Sequence, residues 1–328
     1  MSQRRKKNVR KNKNRSKKIE RVQQDHLPHT VKILCLSFGG LIVLLLIVTW
    51  ILSVCWHTPI KYLPELLTAC HPVAEIKSHP VKKQETLFQP KFIQLLEKYK
   101  NDPKFGEAAR KALERIPFWN GQLQQLDNSY VHLRIILQTH PDPFTGEYNE
   151  ESWFSQHLIA SMLYRFSPQA VFVEGRPYNK RIVWASGRTI SDGVDEFISK
   201  SDSSLMAYGI EDEAFLNLHL ALVNYAKTVT EDVPDTVWTD IYQFHRECIY
   251  ARDTVAIIAS INQLHTAHKS EGTLIIGALH ASDLFTLCSH LGIADVTFYQ
   301  GLNIYSGDEI FTLNQDFPWR LTKKPLGG

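Results

Sequence analysis

The sequence predicts an α/β fold: a mainly parallel central sheet flanked by helices, preceded by one N-terminal transmembrane helix. Three observations predict it. Short apolar runs, several β-branched, recur through the second half of the chain, and each leads into a segment with apolar residues at helical spacing. The crossovers are roughly 15–30 residues long, which suits parallel strands joined by helices. Ahead of this series, no charged side chain lies between Lys32 and Lys61.

The chain has 328 residues and a net charge of +3, but the charge is unevenly placed. Residues 1–24 carry eleven Lys and Arg against a single acid, Glu20. Of 37 basic and 34 acidic residues in all, 26 and 33 then remain for the rest, so a mildly acidic body follows a basic tail. Such a tail suits anionic lipid, and its place next to an apolar segment argues against specific nucleic-acid binding.

Residues 31–56 form the apolar segment, with Leu41 to Val48 uninterrupted and Trp50 and Trp56 toward its end. About 20 apolar residues span a bilayer as a helix. The Lys/Arg cluster before it predicts a cytoplasmic N-terminus and an extracytoplasmic body, as in a bacterial inner-membrane protein facing the periplasm or cell exterior. The run is too long for a cleaved signal peptide, and no small-x-small site ends it. Leu67-Thr-Ala-Cys70 has the form of a lipidation box but lies too far beyond the apolar run.

The sequence thus divides into a basic tail (1–30), a signal anchor (31–56), a juxtamembrane stretch (57–125) and an α/β body (126–328). Pro59, Pro64, Pro72 and Pro80 predict little regular structure over His57–Thr86. Two amphipathic helices follow, Phe88–Tyr99 and Phe105–Ile116, the second stopped by Pro117; they suit either packing on the body or a stalk. In the body, strands are predicted at Tyr130–Leu137, Ala170–Val173, Ser204–Ile210, Thr273–Ile276 and Val296–Tyr299. Helices are predicted at Glu150–Phe166, Glu213–Val229, from an N-cap at Asp235 toward His268, and at Ser282–Leu291.

Five cysteines are present. Cys35, Cys55 and Cys70 belong to the membrane region. Cys248 and Cys288 lie in the body and could pair in an oxidising compartment. No C-x-x-C spacing occurs, which disfavours a thiolate metal site.

Polar residues recur where strands should end: Gln138-Thr-His140, Glu174, Glu211 and His280. In a parallel sheet these ends share one rim, where ligands bind. Two His and two Glu there could hold a divalent metal, or act as general acid and base around a water. Arg252-Asp253 interrupts an otherwise apolar helical pattern, and Arg252 could hold a rim carboxylate or an anionic group of a substrate.

The order of these motifs resembles the superfamily that joins TraB/PrgY and Tiki proteins, ChaN-like haem-binding lipoproteins and erythromycin esterases. The resemblance covers about residues 130–300. It rests on Leu137-Gln-Thr-His140, Ala170-Val-Phe-Val-Glu-Gly175, Arg252-Asp-Thr-Val-Ala-Ile-Ile-Ala259 and Gly277-Ala-Leu-His280. It implies a hydrolase of ester or peptide bonds, metal-dependent in the Tiki-like branch, or a haem binder in the ChaN-like branch. Under the hydrolase expectation His140, Glu174, Glu211 and His280 activate a water, and Arg252 stabilises developing negative charge. Asp253 and Asp283 stand behind and orient. Under the metal expectation His140, Glu174 and His280 hold Mn or Zn; under the haem expectation His140 or His280 is the axial ligand. The chain departs from the pattern at Leu137, where the family has Gly, and at Gln138, where it often has Glu. Those changes make an inactive scaffold the third expectation. The sequence lacks Gly-x-Ser-x-Gly, His-Glu-x-x-His and Walker motifs, which removes support for serine-elbow, zincin and NTPase chemistry.

Overall fold

A computed structural model describes residues 71–79, 87–126, 131–139, 150–182, 192–201, 203–228 and 235–300. The segment 31–56 expected to cross the membrane lies outside them, as do His140 and the basic tail. Among the described residues no helix is long and apolar enough to cross a membrane.

The elements are β1 (Ala74–Ile76), α1 (Pro90–Tyr99), α2 (Gly106–Gln124), β2 (His132–Gln138), α3 (Glu150–Phe166), β3 (Ala170–Pro177), α4 (Asp192–Lys200), β4 (Met206–Glu211), α5 (Glu213–Thr228), α6 (Asp235–Thr266), β5 (Glu271–Gly277), α7 (Ala281–Leu291) and β6 (Asp295–Gln300). The six strands form one sheet in the order β1-β6-β2-β5-β3-β4. Every neighbouring pair is parallel except β1 with β6. A mainly parallel sheet flanked by helices is therefore present.

Three local expectations are corrected. Ala74–Ile76, expected to be irregular, is an edge strand paired with Val296–Phe298. Three residues are too short to show a period, and the pairing is supplied entirely by β6. Helix α4 was not expected at all. Pro117 does not stop α2, which runs on to Gln124. A proline removes one helical hydrogen bond and crowds the preceding turn. Tertiary anchors hold the turns beyond it: Trp119 is fully buried and donates its indole N–H to Asp212 at 2.9 Å, and Asn120 accepts the Leu87 amide at 2.9 Å.

Alternate strand residues point to opposite faces. Leu133, Ile135, Leu137, Phe172, Leu274 and Ile276 join one core with α1, α2, α5, α6 and α7. Phe92 of α1 packs at a tilt against Phe215 of α5 and Phe244 of α6, and Ala109, Ala112 and Trp119 of α2 join the same core, so α1 and α2 pack on the sheet-bearing core rather than forming a stalk. Ile136, Val171, Val173 and Ile275 face the other way, toward α3, where Phe154, Leu158 and Met162 are buried.

This arrangement creates a switch point. β2 connects to β3 through α3 on one face, while β5 connects to β6 through α7 on the other. β2 and β5 are neighbours, with Gln138 opposite Gly277 at their carboxyl ends. Where adjacent strands send their crossovers to opposite faces, a crevice opens at the rim.

Candidate functional site

The site is built on the carboxyl ends of β3, β4 and β5 and on one turn of α6. β3 ends irregularly: it takes four residue steps from Val173 to Pro177 where β4 takes two from Gly209 to Glu211. The bulge turns on Gly175, whose φ of 77° is open to glycine and strained for other residues. Glu174 sits inside it, 6% exposed, and its Oε2 accepts the Gly277 amide at 2.8 Å. Its Oε1 lies 3.4 Å from His280 Nε2 and 3.6 Å from Arg252 Nη2.

Glu211 ends β4 and lines a cavity of about 430 Å³, but both of its carboxylate oxygens are already held. Arg252 grips it with Nε to Oε2 at 3.1 Å and Nη2 to Oε1 at 2.5 Å. Asp253, the next residue on α6, is fully buried and its Oδ1 meets His280 Nδ1 at 2.5 Å. Successive helix positions differ by about 100°, so one turn of α6 serves β4 with Arg252 and the β5 turn with Asp253. Two cationic side chains thus link three carboxylates in the order Asp253, His280, Glu174, Arg252, Glu211.

The electrostatics follow from burial and pairing. Burial alone would lower the His280 pKa, but the Asp253 and Glu174 carboxylates outweigh it and raise it to about 10. Burial pushes Asp253 up to about 6, against the pull of His280. Burial would likewise weaken Arg252 as a cation, and Glu211 reverses this. The ring therefore stands as an imidazolium at neutral pH, bridging two carboxylates.

Sequence reasoning named Glu174, Glu211, His280, Arg252 and Asp253, and the fold brings all five together. His140 lies outside the described residues. Asp283 is not hydrogen-bonded to His280; its Oδ1 faces Arg246 Nη2 at 3.4 Å. Two groups were missed. His219 of α5 and His245 of α6 lie with ring centroids 4.9 Å apart beside this network. Burial lowers both pKa values, His245 to about 3, so both rings are neutral. The spacing of His245 and Arg252, two helical turns, places them on one face of α6 and was the available signal. The second missed group, Gln156 and Ser155 of α3, lies beside the end of β2.

The described donors do not fit a divalent metal. Both oxygens of Glu211 are held by Arg252, and Oε2 of Glu174 by the Gly277 amide. His280 Nδ1 is held by Asp253, and the Arg252 cation stands beside the remaining Glu174 oxygen. Among the described residues no group of three or more His, Cys, Asp or Glu is placed to hold a metal. Haem fits no better, because His280 Nε2 is turned to Glu174. The cavity of about 430 Å³ beside Glu211 is lined mostly by charged side chains, among them Lys111, Glu114, Arg115, Lys180 and Glu213, with Pro177, Tyr178 and Ala214 as its apolar share. The body cysteines do not pair: Cys248 and Cys288 are free and buried.

No protein-family model, curated protein or solved structure matches this chain.

Proposed function

We propose that the protein is a membrane-anchored hydrolase that adds water across an ester or peptide bond at the switch-point rim. The observation that carries this reading is Glu174, whose Oε1 lies 3.4 Å from an imidazolium oriented by a buried aspartate. The family resemblance supports the same class of reaction.

Glu174 Oε1 takes a proton from the attacking water as its oxygen adds to the substrate carbonyl. Arg252 offsets the negative charge that grows there. Breakdown of the tetrahedral species expels the alcohol or amine, which takes a proton from His280 Nε2. Glu174 then returns its proton to His280, and both groups regain their starting states. Glu211 and Asp253 are positioning residues: one fixes the guanidinium plane, the other the ring. No step is assigned to a metal.

Residues 31–56 anchor the body outside the cytoplasm, and the basic tail contacts anionic lipid on the inner leaflet. The charge distribution supports this topology. A phosphatase reporter fused after residue 328 tests it, since the reporter is active only outside the cytoplasm.

The full chain in detergent, offered p-nitrophenyl esters and a quenched peptide library, tests the chemistry. Hydrolysis should appear and should fall by about 100-fold or more in His280→Ala and Glu174→Gln, consistent with lost acid–base catalysis. Wild-type rates equal to those of His280→Ala on every substrate would overturn the reading.

A further inference from the structure

Gln138 is 1% exposed at the carboxyl end of β2, and its side-chain Nε2 is buried without a hydrogen-bond partner. The rest of that amide is fixed by a chain of contacts whose direction is unambiguous. The Gly193 backbone N–H, which can only donate, meets Gln156 Oε1 at 3.3 Å. That makes the other end of Gln156 the donor. Its Nε2 reaches Gln138 Oε1 at 3.3 Å and the Thr139 carbonyl at 3.2 Å. Gln138 Oε1 is therefore the acceptor, and the opposite end of its amide is an N–H donor.

A buried donor with no acceptor is unfavourable, and such groups in a native fold call for an explanation. Its position supplies one. Gln138 pairs in register with Gly277, whose amide holds Glu174 and whose chain leads in three residues to His280. β2 and β5 are also the two strands whose crossovers leave on opposite faces. Gln138 thus stands at the carboxyl rim of the sheet beside the switch point, where open α/β sheets bind their ligands.

We infer that Gln138 Nε2 is a substrate-binding donor that donates to the carbonyl oxygen of the scissile bond and its developing oxyanion, with Gln156 as the positioning residue that sets the amide. This rests on the hydrolase reading. It changes the meaning of Gln138: an acid there would add an acceptor to a rim already holding Glu174, whereas the amide adds a neutral donor, which suits an oxygen carrying negative charge. The ligand class is an sp² or tetrahedral oxygen carrying negative charge.

The full chain is tested with Gln138→Glu, which keeps the volume and the acceptor for Gln156 but removes the donor, and with Gln138→Met, which removes both. Each variant's melting temperature is recorded beside its kinetics. Both should lose about 100-fold to 1,000-fold in kcat with KM changed far less, as for loss of an oxyanion donor. Wild-type kcat and KM in a folded Gln138→Glu would overturn the inference. A second readout does not depend on turnover. In protein labelled with ¹⁵N-glutamine, p-nitrophenyl methylphosphonate, a tetrahedral oxyanion mimic, should shift the side-chain NH₂ signals that vanish in Gln138→Met. If the chain hydrolyses nothing but this shift is seen, the donor stands and the hydrolase reading fails. If the chain hydrolyses esters, Gln138→Glu is slow and no shift is seen, an oxyanion contact is ruled out and the inference fails. If neither activity nor shift is found, both readings fail.

Discussion

Arg252 and Glu211 meet through two parallel hydrogen bonds, 3.1 Å and 2.5 Å long, with both side chains less than a tenth exposed. Removing one partner leaves the other charge buried and unmatched. Arg252→Met or Glu211→Leu should each destabilise the fold by about 3–5 kcal/mol, measured by urea unfolding. The double variant should be less destabilised than the sum of the two. Arg252→Lys should not rescue, because an ammonium cannot reproduce the fork. An additive double variant would show that the pair is not coupled.

The Asp253–His280 contact carries a pH signature. Folding raises the His280 pKa from its ordinary 6.5 to about 10. The folded state therefore binds the proton more tightly than the unfolded chain. Its contribution to stability is complete below pH 6.5 and is lost as pH rises toward 10. The unfolding free energy of wild type minus that of His280→Asn should shrink steadily between pH 6.5 and pH 10. A difference that stays flat across that range would mean a neutral ring in the folded protein.

Cys248 and Cys288 should be chemically silent. Burial pushes the Cys248 thiol up to about 12 and the Cys288 thiol higher still. The thiolate is the reactive form, so neither should react with a disulfide reagent at pH 8 until the protein unfolds. In a chain with Cys35, Cys55 and Cys70 replaced by Ser, the expected titre is zero thiols folded and two in guanidinium. Rapid labelling of the folded chain would contradict their burial.

Gly193 lets α4 lie directly against α3. A Cβ placed there would collide with the Gln156 backbone carbonyl, which cannot move aside as a side-chain tip could. Gly193→Ala should therefore separate the two helices and lengthen the amide contact that orients Gln156 and, through it, Gln138. The expected result is a lower melting temperature together with a reduced kcat. A variant with wild-type melting temperature and kcat would show that the close approach is not needed.

The alternation of apolar runs and helical spacings was enough to place the body strands and most body helices, because each element is defined by its own period of burial. Glu174, Glu211 and His280 were legible as strand-end residues, and Arg252-Asp253 as a polar break in an apolar face. What those residues do to one another was not legible. That Glu211 is held by Arg252, while Glu174 meets His280 and the Gly277 amide, depends on a bulge at Gly175 and on the register of β3 with β4. Pro117 reads as a helix stop in the sequence, but α2 passes it because its anchors come from Asp212 and Leu87, distant in sequence. Gln138 looked like a lost acid until α3 and α4 fixed its amide. By itself the sequence determined an α/β chain with a basic tail, an apolar segment and polar strand ends, since local pattern records which side chains must be buried. The tertiary structure alone decided the strand order, the switch point between β2 and β5 and the pairing of charges, since these arise from contacts between segments that no local pattern encodes.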